Sequence, residues 1–104
     1  MSERTMAVLT TKQKQYLRGL AHPLTPIVRV GKGGLTDSVI AETKHSLHSH
    51  ELIKVRIEAE EGAARRDLAG KLATAADAHL AGTIGKVAIL YRERDEEPEI
   101  ELPK

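Results

Sequence analysis

The alternation of apolar and polar positions divides the chain into seven short elements. Leu17, Leu20 and Ala21 form an apolar stripe at helical spacing between Thr10 and Ala21. Thr10 and Gln13 have the three-residue spacing of a capping box, and Pro23 enforces the end of that helix. From Ile27 to Val30, two valines alternate with Arg29, as in a half-buried strand. A second helix is predicted from Asp37 to about His48, with Val39, Ile40, Thr43 and Leu47 inward. Glu51–Ile57 alternates again: Ile53, Val55 and Ile57 point one way, and Leu52, Lys54 and Arg56 the other. A strand with one apolar and one basic face is half exposed. A third helix is predicted from Ala63 to His79, with Leu68, Ala69, Leu72, Ala75 and Ala76 towards the sheet. Two closing strands, Leu80–Ile84 and Val87–Arg92, flank Gly85-Lys86, a candidate tight turn. The order α-β-α-β-α-β-β predicts a small α/β sandwich with a mixed four-stranded sheet. Helical crossovers imply parallel neighbours, and the hairpin adds an antiparallel pair.

Between the first strand and the second helix stands Val30-Gly31-Lys32-Gly33-Gly34-Leu35-Thr36. Three glycines in four positions let the backbone turn sharply and approach a partner with no Cβ in the way. Thr36 is a good N-cap, and Leu35 and Ile40 occupy the two positions of a hydrophobic staple. The helix start offers unpaired N–H groups and a positive dipole end, and Lys32 adds a full charge, so the local chemistry favours a phosphate. The spacing fits neither a Walker loop nor a Gly-x-Gly-x-x-Gly dinucleotide fingerprint. It fits the Gly-x-x-Gly loop of KH-type modules, which clamps the backbone of single-stranded RNA. A plain strand-to-helix turn accounts for the same tetrapeptide.

Composition narrows the choice. The 104 residues suit one domain, read as a loose lead-in at 1–9, a body at 10–92 and an acidic tail at 93–104. Cysteine is absent, so no disulfide or thiolate metal site exists, and a reducing, cytoplasmic location is expected. No apolar run approaches a membrane span. The net charge of +1 conceals a segregation. Thr10–Ile57 holds eight Lys and Arg against three acids, whereas Glu93–Glu101 holds six acids and one arginine. A basic body points to a polyanionic partner, and the acidic tail is a candidate to fold back over the basic face. Lys14, Arg18 and His22 form a basic row on the first helix.

With two tyrosines, no phenylalanine and no tryptophan, the chain lacks a platform for stacking bases. RNA recognition would then rest on phosphates, backbone amides and shape, with steep salt dependence. His45 and His48 lie at i, i+3, but no acid or cysteine nearby completes a tetrahedral metal set, so surface histidines are expected. No nucleophile–base spacing stands out. Asp37 serves most simply to stabilise a helix start, and no catalytic residue or cofactor is expected.

Ordered blocks then identify a family. Thr11-Lys12-Gln13-Lys14, Leu17-Arg18-Gly19-Leu20-Ala21-His22-Pro23-Leu24, Val30–Thr36, His50-Glu51-Leu52-Ile53-Lys54-Val55, Ile84-Gly85-Lys86 and Leu90-Tyr91-Arg92 resemble the CRM (chloroplast RNA splicing and ribosome maturation) domain. The match is closest to free-standing bacterial YhbY-like members. The resemblance implies a KH-like fold and RNA binding at the glycine loop. It also implies association with precursors of the large ribosomal subunit, as a non-enzymatic, monomeric assembly factor. Carried over by position, Gly31, Lys32, Gly33 and Gly34 are the loop, with Thr36 at the helix start. Lys12, Lys14 and Arg18 match a basic first helix, and Lys54 and Arg56 a basic strand; separately, whether Arg29 shares their open face depends on register. The alternatives are a general RNA chaperone or splicing cofactor without a ribosomal target, a phosphometabolite enzyme, or a protein-interaction adaptor.

Overall fold

The computed structural model describes residues 8–59 and 61–104. It contains the seven elements in the predicted order: α1 (Thr11–Ala21), β1 (Val28–Val30), α2 (Asp37–His50), β2 (Leu52–Ile57), α3 (Gly62–Ala75), β3 (His79–Ile84) and β4 (Val87–Tyr91). The strands form one mixed sheet in the order β1-β2-β4-β3, with β1 parallel to β2 and the other pairs antiparallel. One connection departs from expectation. The crossover through α3 does not set β3 beside β2, because β4 inserts between them. The sequence of β4 explains this. Ala88, Ile89, Leu90 and Tyr91 are all buried, so both faces of the strand need cover, and a central position supplies it.

α2 and α3 cover one face, where Leu47, Ala69 and Leu72 pack with Val28, Val30, Ile53, Val55, Ile57, Ala88 and Leu90. α1 lies on the other face over β2, β4 and β3, with Leu17 and Ala21 packed against Leu52, Ala81, Ile89 and Tyr91. Burial of this kind contributes about 25 cal/mol per Å² of apolar surface and orders both layers. β1 and the later half of β2 stay open on the α1 side: Arg29 and Arg56 are exposed there and Lys54 is half-buried.

Local signals act as read. Thr10 and Gln13 form both halves of the capping box, at 3.1 and 3.0 Å. α3, expected to reach His79, ends at Ala75. Asp77 takes the left-handed conformation (φ 57°), and the N–H groups of Ala78 and Asp77 close back on the carbonyls of Ala73 and Thr74. That is a Schellman stop with aspartate where glycine is usual, so the alanine-rich run conceals it.

The two ends of the chain differ from expectation, which makes 1–9 a loose lead-in and the acidic tail a candidate cover for the basic face. Residues 1–7 of the lead-in lie outside the described residues. Leu9 is buried and joins the cluster under α1. The tail does not fold over Arg29, Lys54 and Arg56. It docks at the opposite end of β2, where Ile100 and Leu102 pack on the α1 cluster and Gln13 Nε2 donates to the Pro103 carbonyl at 3.0 Å.

Glu51 holds that docking together. It follows α2 with φ 62°, a conformation that favours glycine, yet only 1% of it is exposed. Its Oε2 accepts the Arg94 N–H at 2.9 Å, and Oε1 accepts those of Glu99 and Ile100 at 2.7 and 3.0 Å. Its carbonyl accepts the Arg92 N–H at 2.9 Å. Burial pushes this carboxyl up, but the three N–H donors and the Arg94 guanidinium together outweigh it and hold it below the usual carboxylate range. A depressed folded-state pKa contributes stability above the unfolded-state value, and that contribution disappears as pH falls through the folded-state value.

Glu51→Gln is therefore expected to lower stability at neutral pH by about 2 kcal/mol, because an amide cannot accept all three donors. Urea unfolding across pH checks this: the gap between wild type and variant should hold at neutral pH and narrow as acidification passes below the ordinary glutamate range and through the lowered folded-state value. Glu51→Gly relieves the backbone conformation and should still destabilise.

Candidate nucleic-acid interface

Because β1 and β2 are parallel, the loops that follow them emerge at one end of the sheet, and both α2 and α3 begin there. The Glu58 N–H donates to the Val30 carbonyl at 2.9 Å, and the Ile57 N–H to that of Lys86 in the β3–β4 turn at 2.7 Å. Arg65 in the first turns of α3 ties the same end, donating to the Ala59 carbonyl at 2.8 Å and that of Gly85 at 3.2 Å. Two helix N-termini, with their positive dipole ends, thus share one edge of the molecule.

The glycine loop is a turn closed by the Gly34 N–H on the Gly31 carbonyl at 3.0 Å, with Lys32 and Gly33 exposed at its tip. Such a turn engages neither central N–H. Gly34 adopts φ 74°, so the backbone itself calls for glycine. Gly31 and Gly33 differ. Neither has a positive φ, a Cβ on Gly31 would meet nothing within 4 Å, and one on Gly33 would meet only Thr36 Cγ2 at 3.9 Å. The fold needs no glycine at these two positions. What a missing side chain provides there is close approach from outside. Thr36 caps α2 by accepting the Val39 N–H at 3.2 Å, which leaves the N–H groups of Asp37 and Ser38 without an intrahelical acceptor. Leu35 and Ile40, at the two staple positions, both pack on the core and anchor the loop to it.

The open sheet face continues from the loop. Arg29 stands opposite Arg56 in the β1–β2 register, an arrangement in which like charges repel. Glu58 resolves it, accepting Arg56 Nε at 2.6 Å and Arg29 Nη2 at 3.1 Å. The Arg56 hydrogen bond foremost, and that of Arg29, hold the Glu58 carboxyl below its usual range against its partial dehydration. Lys54 Nζ donates to the His22 carbonyl at 3.1 Å, at the C-terminal end of α1. Lys32 makes no ion pair or hydrogen bond among the described residues. Of the four cations, Arg29 and Arg56 share the Glu58 carboxylate, which holds both guanidiniums in place, and Asp37 in the first turn of α2 is a second acid beside the loop, so positive charge outnumbers negative on this surface.

The structure thus brings together Gly31, Lys32, Gly33, Gly34, Thr36, Arg29, Lys54 and Arg56. It sets two expected residues apart, while Lys12 is exposed on α1 one turn before Tyr16. Lys14 lines a groove with Leu9, Ala73 and Leu80. Arg18 turns towards β3, where Nη1 donates to the Ala81 carbonyl at 3.2 Å. Its stem lies on Gly82, so close that a Cβ there would come within 2.8 Å of Arg18 Cδ. Sequence reasoning passed over Glu58, Arg65 and Lys86. Glu58 directly follows β2, and placing it next to paired arginines needs just the β1–β2 register. His45, His48 and His50 are exposed on α2, and no group of three or more His, Cys, Asp or Glu among the described residues could hold a metal ion. No helix among them is long and apolar enough to cross a membrane.

Arg18→Ala is expected to lower stability by about 1 kcal/mol, through a lost charged hydrogen bond and lost stem packing. Lys32→Ala should stay within about 0.5 kcal/mol of wild type. Parallel urea titrations of the two variants check the contrast.

Comparison with known proteins bears on this surface. The model of the CRS1 / YhbY (CRM) domain family matches residues 9–92. A Haemophilus influenzae protein named "RNA-binding protein" is 41% identical over 99 residues, covering 95% of this chain and 99% of the relative. The Bacillus subtilis "Probable RNA-binding protein YqeI" is 43% identical over 96 residues, covering 92% of this chain and all of the relative. Among solved structures, the solution structure of a hypothetical protein from Staphylococcus aureus superposes with a TM-score of 0.83 at 42% identity. That match covers 92% of this chain and 100% of the other.

Proposed function

The chain belongs to the CRS1/YhbY (CRM) domain family, and on that footing we propose that it binds RNA, seating the sugar-phosphate backbone against Gly31–Gly34. One observation carries the reading: Gly31 and Gly33 lack side chains that the fold would accommodate, beside an unpaired Lys32 and the start of α2. The names of the relatives support the same ligand class. Binding begins with electrostatic capture by Arg29, Lys54 and Arg56, whose positions Glu58 and the His22 carbonyl hold in advance. A phosphate then settles over the loop, where turn amides, the α2 N-terminus and Lys32 converge. No step forms or breaks a covalent bond. Following the resemblance to stand-alone YhbY-like members, the RNA is ribosomal, within precursors of the large subunit in the cytoplasm, and the protein assists their assembly as a monomer.

Gly33→Asp tests the loop. The site has room for the side chain, so the variant should melt like wild type, while its carboxylate repels the incoming phosphate and lowers RNA affinity more than about tenfold. In a sucrose gradient of a low-salt lysate, wild type should travel with large-subunit precursors and the variant should stay at the top. Normal RNA binding by Gly33→Asp would remove the loop from the site. In filter binding to single-stranded RNA, Lys32→Ala should reduce the slope of log affinity against log salt by about 0.7, the value for one lost phosphate contact.

A further inference from the structure

The cations at the loop account for phosphates, but the surface next to them is apolar. Tyr16, Leu20, Leu24 and Ile27 are 42, 39, 39 and 46% exposed. They adjoin one another through the fold. Arg18 leans from α1 towards β3, and Leu20, about 200° further round the helix, faces the opposite flank, on the side of the sheet where β1 lies. Tyr16 lies one turn before Leu20 on that flank. The chain then turns at Leu24, whose N–H donates to the Ala21 carbonyl at 2.9 Å, and Ile27 is laid beside β2 by its N–H on the Lys54 carbonyl at 3.1 Å. Val28 and Val30 face α2 and α3, so Ile27 and Arg29 share the other face with Lys54 and Arg56. The sequence placed Leu20 in the buried stripe of α1. In the structure α1 buries only Leu17 and Ala21, and Leu20 is left over for something else.

We infer that this strip seats the bases of a single RNA strand whose phosphates lie along Arg29, Arg56 and Lys32. The inference rests on the RNA reading above and deepens it, from a phosphate clamp to a two-sided track. From Ile27 to Gly31 the chain advances roughly 13 Å, enough for about two extended nucleotides. Exposed apolar surface rimmed by cations matches a ligand with flat apolar bases and a charged backbone. Base-paired RNA hides its bases, so the occupant is an unpaired segment. The strip also explains how a chain with two tyrosines and neither phenylalanine nor tryptophan holds bases: aliphatic side chains form most of the seat.

The test compares wild type, Gly33→Asp and the double variant Leu20→Gln/Ile27→Thr, whose positions are exposed enough to leave the fold intact, as thermal melting will confirm. Each is titrated by fluorescence anisotropy with a short uridine oligomer and with an abasic strand of equal length and charge, across a salt series. Wild type should prefer the base-bearing strand by about fivefold, the low end of what one base seated on an aromatic side chain contributes. The double variant should lose that preference with an unchanged salt slope, and Gly33→Asp should lose affinity for both strands. Equal wild-type affinity for the two strands, or a preference retained by the double variant, overturns the base seat. If Gly33→Asp alone then weakens binding, the RNA reading stands without it. If wild type binds neither strand, both readings fall together.

Discussion

The parallel pairing of β1 with β2 is the constraint from which the rest follows. Two parallel strands, each followed by a helix, place both helix N-termini and both connecting loops at the same sheet end. The pairing also sets Arg29 against Arg56, a repulsion that becomes useful only because Glu58, directly after β2, reaches both. An antiparallel arrangement would have sent the glycine loop and Glu58 to opposite ends. The positive surface is therefore a product of topology as much as of composition. Cations spread over some thirty positions of sequence meet because the register brings them level.

The opposite end of the sheet is organised by charge burial rather than charge display. There the single carboxylate of Glu51 gathers three amides from a segment forty and more residues downstream and accepts an unfavourable backbone conformation in doing so. The two ends use their acids differently. Glu58 is half-buried at the surface and steadies two neighbours, whereas Glu51 is enclosed and closes the fold. Both carboxyls are held below the usual range, one chiefly by guanidinium hydrogen bonds and the other by amides working against burial.

Much of this was legible in the sequence, because local signals agreed with the global arrangement. The alternation in Leu52–Ile57 and the Thr10 and Thr36 caps each match the structure, and Leu35 and Ile40 both turn to the core. What escaped was non-local. Periodicity could not reveal that β4 enters between β2 and β3, although its nearly continuous apolar run points that way. Charge pointed the tail towards the basic face, since its acids outnumber Ile100 and Leu102, whose docking depends on a buried partner far back in the chain. For the interface, the loop could be read directly, whereas Arg18 could not be told from a surface cation, because only the closeness of Gly82 shows where it lies.

The anchoring of the tail also redraws where this module stops. The family match closes at residue 92, a natural point at which to excise or transplant the unit. The amides that satisfy Glu51 belong to Arg94, Glu99 and Ile100, so a graft cut at that boundary would carry a stranded charge inside it. The portable unit of recognition and the self-sufficient unit of structure are therefore different lengths of chain.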